Sequence, residues 1–422
     1  MVQKIRTLVS KGFAFIYVYL LHKKKRIKHV NNKKILIIFG GHIGNAILNM
    51  DLLLETKRLF SKEDGWEICV LCNKRLRKVC ETIADMSEYS FLDVPYPYEG
   101  GGTRFFETYN TIKKMRNLEF EKIIVNVAHI MPLAAYIVAT VNSNCSIGVF
   151  DDIDHDSIKA KRDIEHNIGN LRWYFERAYT DKIYVPFNLH EMKRQQLIIR
   201  RIGGESYKTR IYPIKKLCDY SPIDEPYVTI SLDSASAQRI WEPEKFATIV
   251  NLIHDKYDYS VCFTGGETAN PLYSEAIKHI ENSERTYNLI GKTSFDQWIE
   301  LLRKSSFHIS VDSGSIHVAA SVGTQSFCLI GAWNGTRPLP YVIDAPSPET
   351  VEPLCIGQAG INELPCYGCV PLKGLMGADN DECRMRVNNG ESALCLSKIQ
   401  PEELFEVIES WVETKHKDQA AI

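Results

Sequence analysis

Residues 35–60 read ILIIFGGHIGNAILNMDLLLETKRLF, and their order decides the fold. Ile35 to Phe39 form a continuous apolar run of strand length with no polar alternation, the pattern of a strand buried on both faces. A glycine loop, GGHIGN, follows, and the apolar positions of AILNMDLLLETKRLF then recur at helical spacing. Strand, glycine loop and helix in that order open a parallel α/β sheet. Further strand-like runs at Trp66 to Leu71, Lys122 to Val127 and Ser146 to Phe150, with helix-like stretches between them, extend this first domain from residue 34 to about 215.

YPIKKLCDYSPIDEP, from Tyr212 to Pro226, is rich in proline and turn formers and reads as a linker over residues 216–226. The pattern then restarts. YVTISL, a helix near Glu244 to His254, YSVCFTGG, a helix near Leu272 to His279, YNLIG, a helix near Phe295 to Lys304, FHISVD, a helix near Ile316 to Val322 and QSFCLIG make a second domain over residues 227–398. It contains a cysteine-rich insert at 355–395, and a C-terminal helix and tail follow at 399–422. The class is α/β, with two Rossmann-like domains. Such a pair leaves a central cleft at the carboxyl ends of its strands, the usual ligand position in open α/β sheets.

The whole chain has 422 residues, 45% hydrophobic and 24% charged, with a net charge of -1, which excludes collagen-like, disordered and polytopic membrane classes. The charge is unevenly spread. The first 50 residues hold ten Lys/Arg and no acid, leaving a body of 41 basic and 52 acidic side chains. An acidic body argues against nucleic acid as partner, since phosphate neutralisation needs a basic face. The head, residues 1–33, joins an uncharged run from Gly12 to Leu21 to the cluster Lys23, Lys24, Lys25, Arg26 and Lys28. Ten residues are too few to span a bilayer, which takes about 20, and a basic cluster stands where a signal peptide would be cleaved. Apolar bulk beside a polybasic stretch fits an interfacial helix on the anionic cytoplasmic leaflet, or else a helix packed on the protein's own body. The first reading makes the protein cytoplasmic and peripheral on the inner face of the cell membrane.

The stretch from Ser310 to Pro338, SVDSGSIHVAASVGTQSFCLIGAWNGTRP, carries the most chemistry. A buried strand ends at Asp312, Ser313 and Gly314 make a tight turn, and a helix begins. Its backbone N–H groups and dipole favour an incoming anion there, and His317 lies within its first turn. The plainer alternative is that Asp312 and Ser313 only cap the helix.

The run D-S-G-x-x-H-x-A-A, between a hydrophobic strand and a second strand ending in Gly331, resembles the nucleotide-sugar site of the heptosyltransferases, glycosyltransferase family 9. SLDSASAQRIWEPEKF is similar to that family's S-x-x-x-x-K/R-x-W-P-x-x-x-F segment, FTGGE to its glycine turn, and NLIGKTSFDQWIELLRKSSFHIS to its G-K-T-S-L segment. Residues 35–60 resemble its opening strand, G-D loop and helix. EKIIVNVAHIMPLAAYIVATVNSNCSIGVF and IEHNIGN resemble its N-terminal domain. The resemblance covers about residues 34–410. It implies the GT-B fold and an inverting transfer, without catalytic metal, of heptose or another sugar from a nucleotide-sugar donor, ADP-heptose first, to a lipopolysaccharide or other lipid-linked glycan. A non-catalytic sugar-nucleotide-binding or assembly protein is the alternative.

Departure of a diphosphate builds negative charge that fixed positive potential must meet. Arg239, two residues before Trp241, is the candidate, helped by Ser234, Ser236 and the N–H groups around Ser313 and Gly314. Asp312 and His317 would position ribose, phosphate or sugar hydroxyls. Gly265 and Gly266 let backbone approach the nucleotide. Glu267 is a candidate for ribose or base, although the family's acid usually falls a few positions later. GKTS from Gly291 is no phosphate loop, because the position five residues upstream is Thr286. On the acceptor side the family carries Asp after the loop glycine as general base; here Gly44 is followed by Asn45, and Asp51 stands where the family usually has Pro. His42 or Asp51 could be the base, or Asp93 or Glu99, or the protein binds donor without transferring it.

Twelve cysteines without a secretion signal point to a reducing compartment. Cys69, Cys72, Cys262 and Cys328 sit in apolar strands as core residues. Cys366, Cys369, Cys383 and Cys395 form a C-x2-C pair followed by gaps of 13 and 11 residues, which fits a closed tetrahedral site for structural zinc or iron. Disulfides and free thiols are the alternatives. Some members of the resembled family carry a comparable insert, a few with bound iron.

Overall fold

The computed structural model describes residues 29–92, 105–126, 132–151, 176–186, 189–205, 207–234, 237–332, 337–357 and 381–420. The basic head up to Lys28 lies outside them. The chain divides into an N-terminal unit, Met1–Arg210 with Val342–Ala345, and a C-terminal unit, Ile211–Tyr341 with Pro346–Ile422.

The N-terminal unit holds β1 (Lys34–Phe39), β2 (Glu67–Leu71), β3 (Tyr89–Phe91), β4 (Glu119–Asn126), β5 (Asn142–Asp151) and β6 (Asp181–Val185) in one sheet of order β3-β2-β1-β4-β5-β6. All neighbours are parallel. The continuous apolar run makes β1 a central strand, and Ile35 to Phe39 are buried. The helices are α1 (Ile43–Leu48), α2 (Met50–Leu59), α3 (Lys74–Ile83), α4 (Phe105–Met115), α5 (Pro132–Thr140) and α6 (Glu191–Arg201).

One helix is expected from Ala46 onward, but two form, separated at Asn49 with φ -109° and ψ 12°. The backbone groups at that break are met from α6. The buried Gln195 amide accepts the Leu52 N–H at 3.2 Å and donates to the Leu48 carbonyl.

The C-terminal unit repeats the plan with β7 (Tyr227–Ser231), β8 (Ser260–Phe263), β9 (Thr286–Asn288), β10 (His308–Val311), β11 (Ser326–Leu329) and β12 (Leu354–Ile356) in the order β9-β8-β7-β10-β11-β12, again all parallel. Its helices are α7 (Pro243–Lys256), α8 (Asn270–Ala276), α9 (Phe295–Arg303), α10 (Gly314–Ser321), α11 (Asp381–Asn388), α12 (Leu394–Ser397) and α13 (Pro401–Ala420). Residues 212–226 carry no helix or strand. Both sheets therefore have the Rossmann order, with the chain reversing direction between the first and fourth strands. Those switch points lie between β1 and β4 and between β7 and β10.

Trp241 is fully buried and packs edge-to-face on Phe246 at 4.9 Å. Phe307 meets Phe327 and Trp411 of α13 in the same way, so the last helix closes the core through Leu404, Ile408 and Val412. Cys355, at the head of the expected insert, instead belongs to the sheet: it lies in β12, in register with Cys328. Among the described residues no helix is long and apolar enough to cross a membrane.

Candidate active site

At the switch point of the C-terminal unit, β7 and β10 end side by side. Beyond β7 the chain turns through Ser234 into a single 3-10 turn, Ala237–Arg239, and this brings Arg239 back over the end of β10. Its Nη1 donates to the Asp312 carbonyl at 3.1 Å and lies 3.3 Å from Asp312 Oδ2. Ser234 Oγ donates to the same carbonyl at 3.2 Å. The Asp312 side chain is 10% exposed and that of Arg239 20%, so one desolvated carboxylate holds the guanidinium at the strand ends. Such a pairing fixes the position of the guanidinium.

Capping is not what these side chains do. Ser313 occupies the N-cap of α10 with extended geometry but makes no side-chain cap hydrogen bond. Its hydroxyl turns under the loop to Ser315 at 2.8 Å and Ser310 at 3.1 Å. The start of α10, with Gly314 as its first residue, is thus left without the side-chain oxygen that usually satisfies its leading N–H groups.

His317, one turn into α10, is buried, and its Nδ1 is 2.8 Å from the Tyr341 hydroxyl. Burial lowers its pKa to about 4; the Asp312 charge opposes the shift and that of Arg239 adds to it. At neutral pH the ring is uncharged, and Arg239 is the cation of the group.

The neighbouring strand end supplies a second cluster. Gly265 has φ +148° and is a true conformational requirement, since a Cβ there would also lie 3.1 Å from Asp233 Oδ1. Glu267 is exposed, and its side chain lies across Gly291, whose φ is +71°. Asp233 and Thr268 are joined by a hydroxyl hydrogen bond of 2.9 Å. Burial pushes the Asp233 pKa up, against the Thr268 bond that lowers it. Sequence reasoning missed Asp233 and Tyr341. Asp233 sat inside the quoted SLDSASAQRIW segment, three residues from Ser236, which lies outside the described residues. Tyr341 had no local signal, being 24 residues from the ring it touches.

His308 is a second buried imidazole, held by Thr229 Oγ1 at 3.0 Å and Ser315 Oγ at 2.9 Å, with its pKa lowered to about 3 by burial. It supports the serine cluster beneath the DSG turn. A cavity of about 340 Å³ lined by Tyr259, Ser305, Thr324, Gln325 and Trp411 lies before β8, β10 and β11, at the opposite edge of the sheet from these groups, where open α/β sheets do not place their ligands.

In the N-terminal unit the switch-point loop is closed on itself. Asn45 Oδ1 accepts the His42 N–H at 3.0 Å, and the same side chain fills the space a Cβ at Gly41 would need. Asn45 therefore serves as a capping amide and cannot accept a proton in this place. Asp51 is 1% exposed, and its Oδ2 accepts the Arg210 N–H at 3.1 Å; it ties α2 to the segment before residue 211. His42 is exposed. Asp93 and Glu99 lie outside the described residues.

Of the four clustered cysteines, Cys383 and Cys395 share one small apolar cluster with Ala393 and Leu394. Cys366 and Cys369 lie outside the described residues.

Residues 206–343, which hold Asp233, Arg239, Gly265, Asp312 and His317, match the model of glycosyltransferase family 9 (heptosyltransferase). That segment carries the chain's likeness to glycosyltransferase family 9. Lipopolysaccharide heptosyltransferase 3 of Escherichia coli is 26% identical over 121 residues, 28% of this chain and 35% of that protein. The family 9 likeness in sequence thus spans about a third of the length of its curated relative. In fold alone, the likeness to solved structures is wider. ADP-heptose LPS heptosyltransferase II of Escherichia coli superposes with a TM-score of 0.57 at 14% identity, covering 91% of this chain and 99% of that one. TibC, an iron-containing dodecameric heptosyltransferase solved with ADP-D-beta-D-heptose, superposes with a TM-score of 0.51 at 13% identity, over 92% and 78%. At these identities the likeness establishes the fold, two Rossmann-like domains of the GT-B type.

Proposed function

We propose that the protein is an inverting glycosyltransferase that moves heptose, or another sugar, from a nucleotide-sugar donor, ADP-heptose first, to a lipopolysaccharide or other lipid-linked glycan. The carrying observation is Arg239 fixed by Asp312 at the carboxyl ends of β7 and β10, beside a helix start with no side-chain cap. The acceptor oxygen attacks the anomeric carbon, the bond to the diphosphate breaks, and the electron pair leaves with the diphosphate. Arg239 and the first N–H groups of α10 stabilise that leaving charge; losing one such donor typically raises the barrier by about 3 kcal/mol. The acceptor proton goes to a base on the N-terminal unit, and His42 is the exposed candidate there. ADP-heptose turnover with lipopolysaccharide acceptor tests this reading, product formation being the expected result.

A second reading has a specific observation behind it. Asn45 is committed to its loop and Asp51 to Arg210, which favours a protein that binds donor without transfer. Tight nucleotide-sugar binding with no product from any acceptor would select it.

We further propose that residues 1–28 hold the protein on an anionic inner membrane face, which places it in the cytoplasm. Deleting residues 1–30 should empty the membrane fraction; an unchanged fraction would sink this part. Cys383 and Cys395, already in one cluster, would join Cys366 and Cys369 around a structural zinc or iron, since four thiolates leave no open position for substrate. Elemental analysis should give one metal per chain, and none on the disulfide or free-thiol readings.

A further inference from the structure

His317 and Tyr341 form a closed pair with consequences for the donor site. The imidazole is buried, and its Nδ1 faces the Tyr341 hydroxyl at 2.8 Å. Tyr341 is also buried, 6% exposed, and among the described residues that hydroxyl has no second hydrogen-bond partner. A neutral imidazole has one donor nitrogen and one acceptor nitrogen, and a phenol carries one proton. If Nδ1 carried the ring proton, the phenol would accept it and its own O–H would be left buried without an acceptor, a penalty large enough to select against that arrangement. If the phenol donates to Nδ1, the phenol O–H and Nδ1 are both satisfied and the ring proton sits on Nε2. Burial keeps the ring neutral at ordinary pH, with its pKa near 4 and the Tyr341 hydroxyl pushed well above its usual range, so neither group leaves this arrangement.

Nε2 makes no hydrogen bond among the described residues. Asp312 and Arg239 are its charged neighbours. We propose that Tyr341 is a positioning residue which fixes His317 in the Nε2–H tautomer, so that the ring presents a single neutral N–H donor to an oxygen of the bound nucleotide sugar. The tautomer rests on the hydrogen-bond geometry alone; its use toward the sugar or its phosphates rests on the donor reading above. A neutral donor beside Arg239 would add selectivity for oxygen position without adding charge, because it requires an acceptor atom along one direction.

The test is long-range proton–nitrogen correlation spectroscopy of the full chain labelled at histidine nitrogens, with His317 assigned by its disappearance in His317→Gln. The wild-type protein should show a protonated Nε2 and a bare Nδ1. In Tyr341→Phe, which keeps the ring packing and removes the hydroxyl, the signal should shift toward the other tautomer or a mixture, and ADP-heptose affinity should fall about tenfold. A protonated Nδ1 in the wild type would overturn the proposal without need of any variant. An unchanged tautomer in Tyr341→Phe would overturn it as well. Adding ADP-heptose should move the Nε2 resonance. If the tautomer is as stated but ADP-, UDP- and GDP-sugars all fail to bind, the donor reading falls while the tautomer assignment stands.

Discussion

The two units share one strand order, yet their switch points are finished differently. In the N-terminal unit the loop after β1 is closed by its own amide, Asn45 to the His42 N–H, packed against a glycine with φ +119°. In the C-terminal unit the helix after β10 begins without a side-chain cap, and a guanidinium held by Asp312 stands beside it. One loop is closed by its own amide, and the other has a cation–carboxylate pair beside an uncapped helix start. The same topology thus gives two differently finished edges, and the difference lies in a few side chains rather than in the fold. The sequence match divides the same way: residues 206–343 fit the family model, and they include the edge with Arg239 and Asp312.

The largest effect that would break this comparison is on Arg239. Arg239→Ala should lower donor turnover about 10²- to 10³-fold, with the fold intact by circular dichroism. Arg239→Lys should recover only part of it, because an ammonium lacks the planar fork. An Arg239→Ala enzyme of normal rate would remove the basis for calling this edge the donor site.

Acid should distinguish the units next. His254, His308 and His317, all in the C-terminal unit, have pKa values lowered first by burial. A histidine held neutral in the fold takes up its proton more readily when unfolded. Stability from His317 is therefore complete above about pH 6.5 and drains away as pH falls toward 4, by about 3 kcal/mol at most. Hydrogen exchange followed between pH 7 and 4 should show the C-terminal unit loosening first. His308→Gln should flatten the pH dependence, and equal loosening of both units would contradict the account.

The smallest expected effect concerns Asn45. Asn45→Ala should cost about 1 kcal/mol of stability by opening the cap and leave donor binding unchanged. Asn45→Asp keeps the capping oxygen and adds a carboxylate, so a rise in turnover would mark this position as the missing base site. No change would leave His42 as the candidate to be tested by His42→Gln.

What the sequence disclosed follows burial. β1 and the central strands were legible because strands covered on both faces must be continuously apolar. The edge strands β3, β6 and β12 were not foreseen. Each carries an exposed residue, Ser90, Tyr184 and Leu354, so their apolar pattern is interrupted. The break at Asn49 was invisible because its splint, Gln195, lies 143 residues from Leu52. Asp312, Ser313, Gly314 and His317 could be grouped from the sequence because they fall within one strand-turn-helix. Arg239 could be named from its chemistry and its place before Trp241. Asp233 and Tyr341 could not, since each acquires its meaning only from a partner brought near by the sheet: Thr268 and Gly265 for one, His317 for the other.

The most direct test of the donor assignment is isothermal titration of the full-length protein with ADP-heptose, wild type against Arg239→Ala. One site per chain in the wild type, weakened at least tenfold in the variant, is the predicted result. Equal affinity in the two proteins would contradict the claim that the strand ends of β7 and β10 hold the diphosphate.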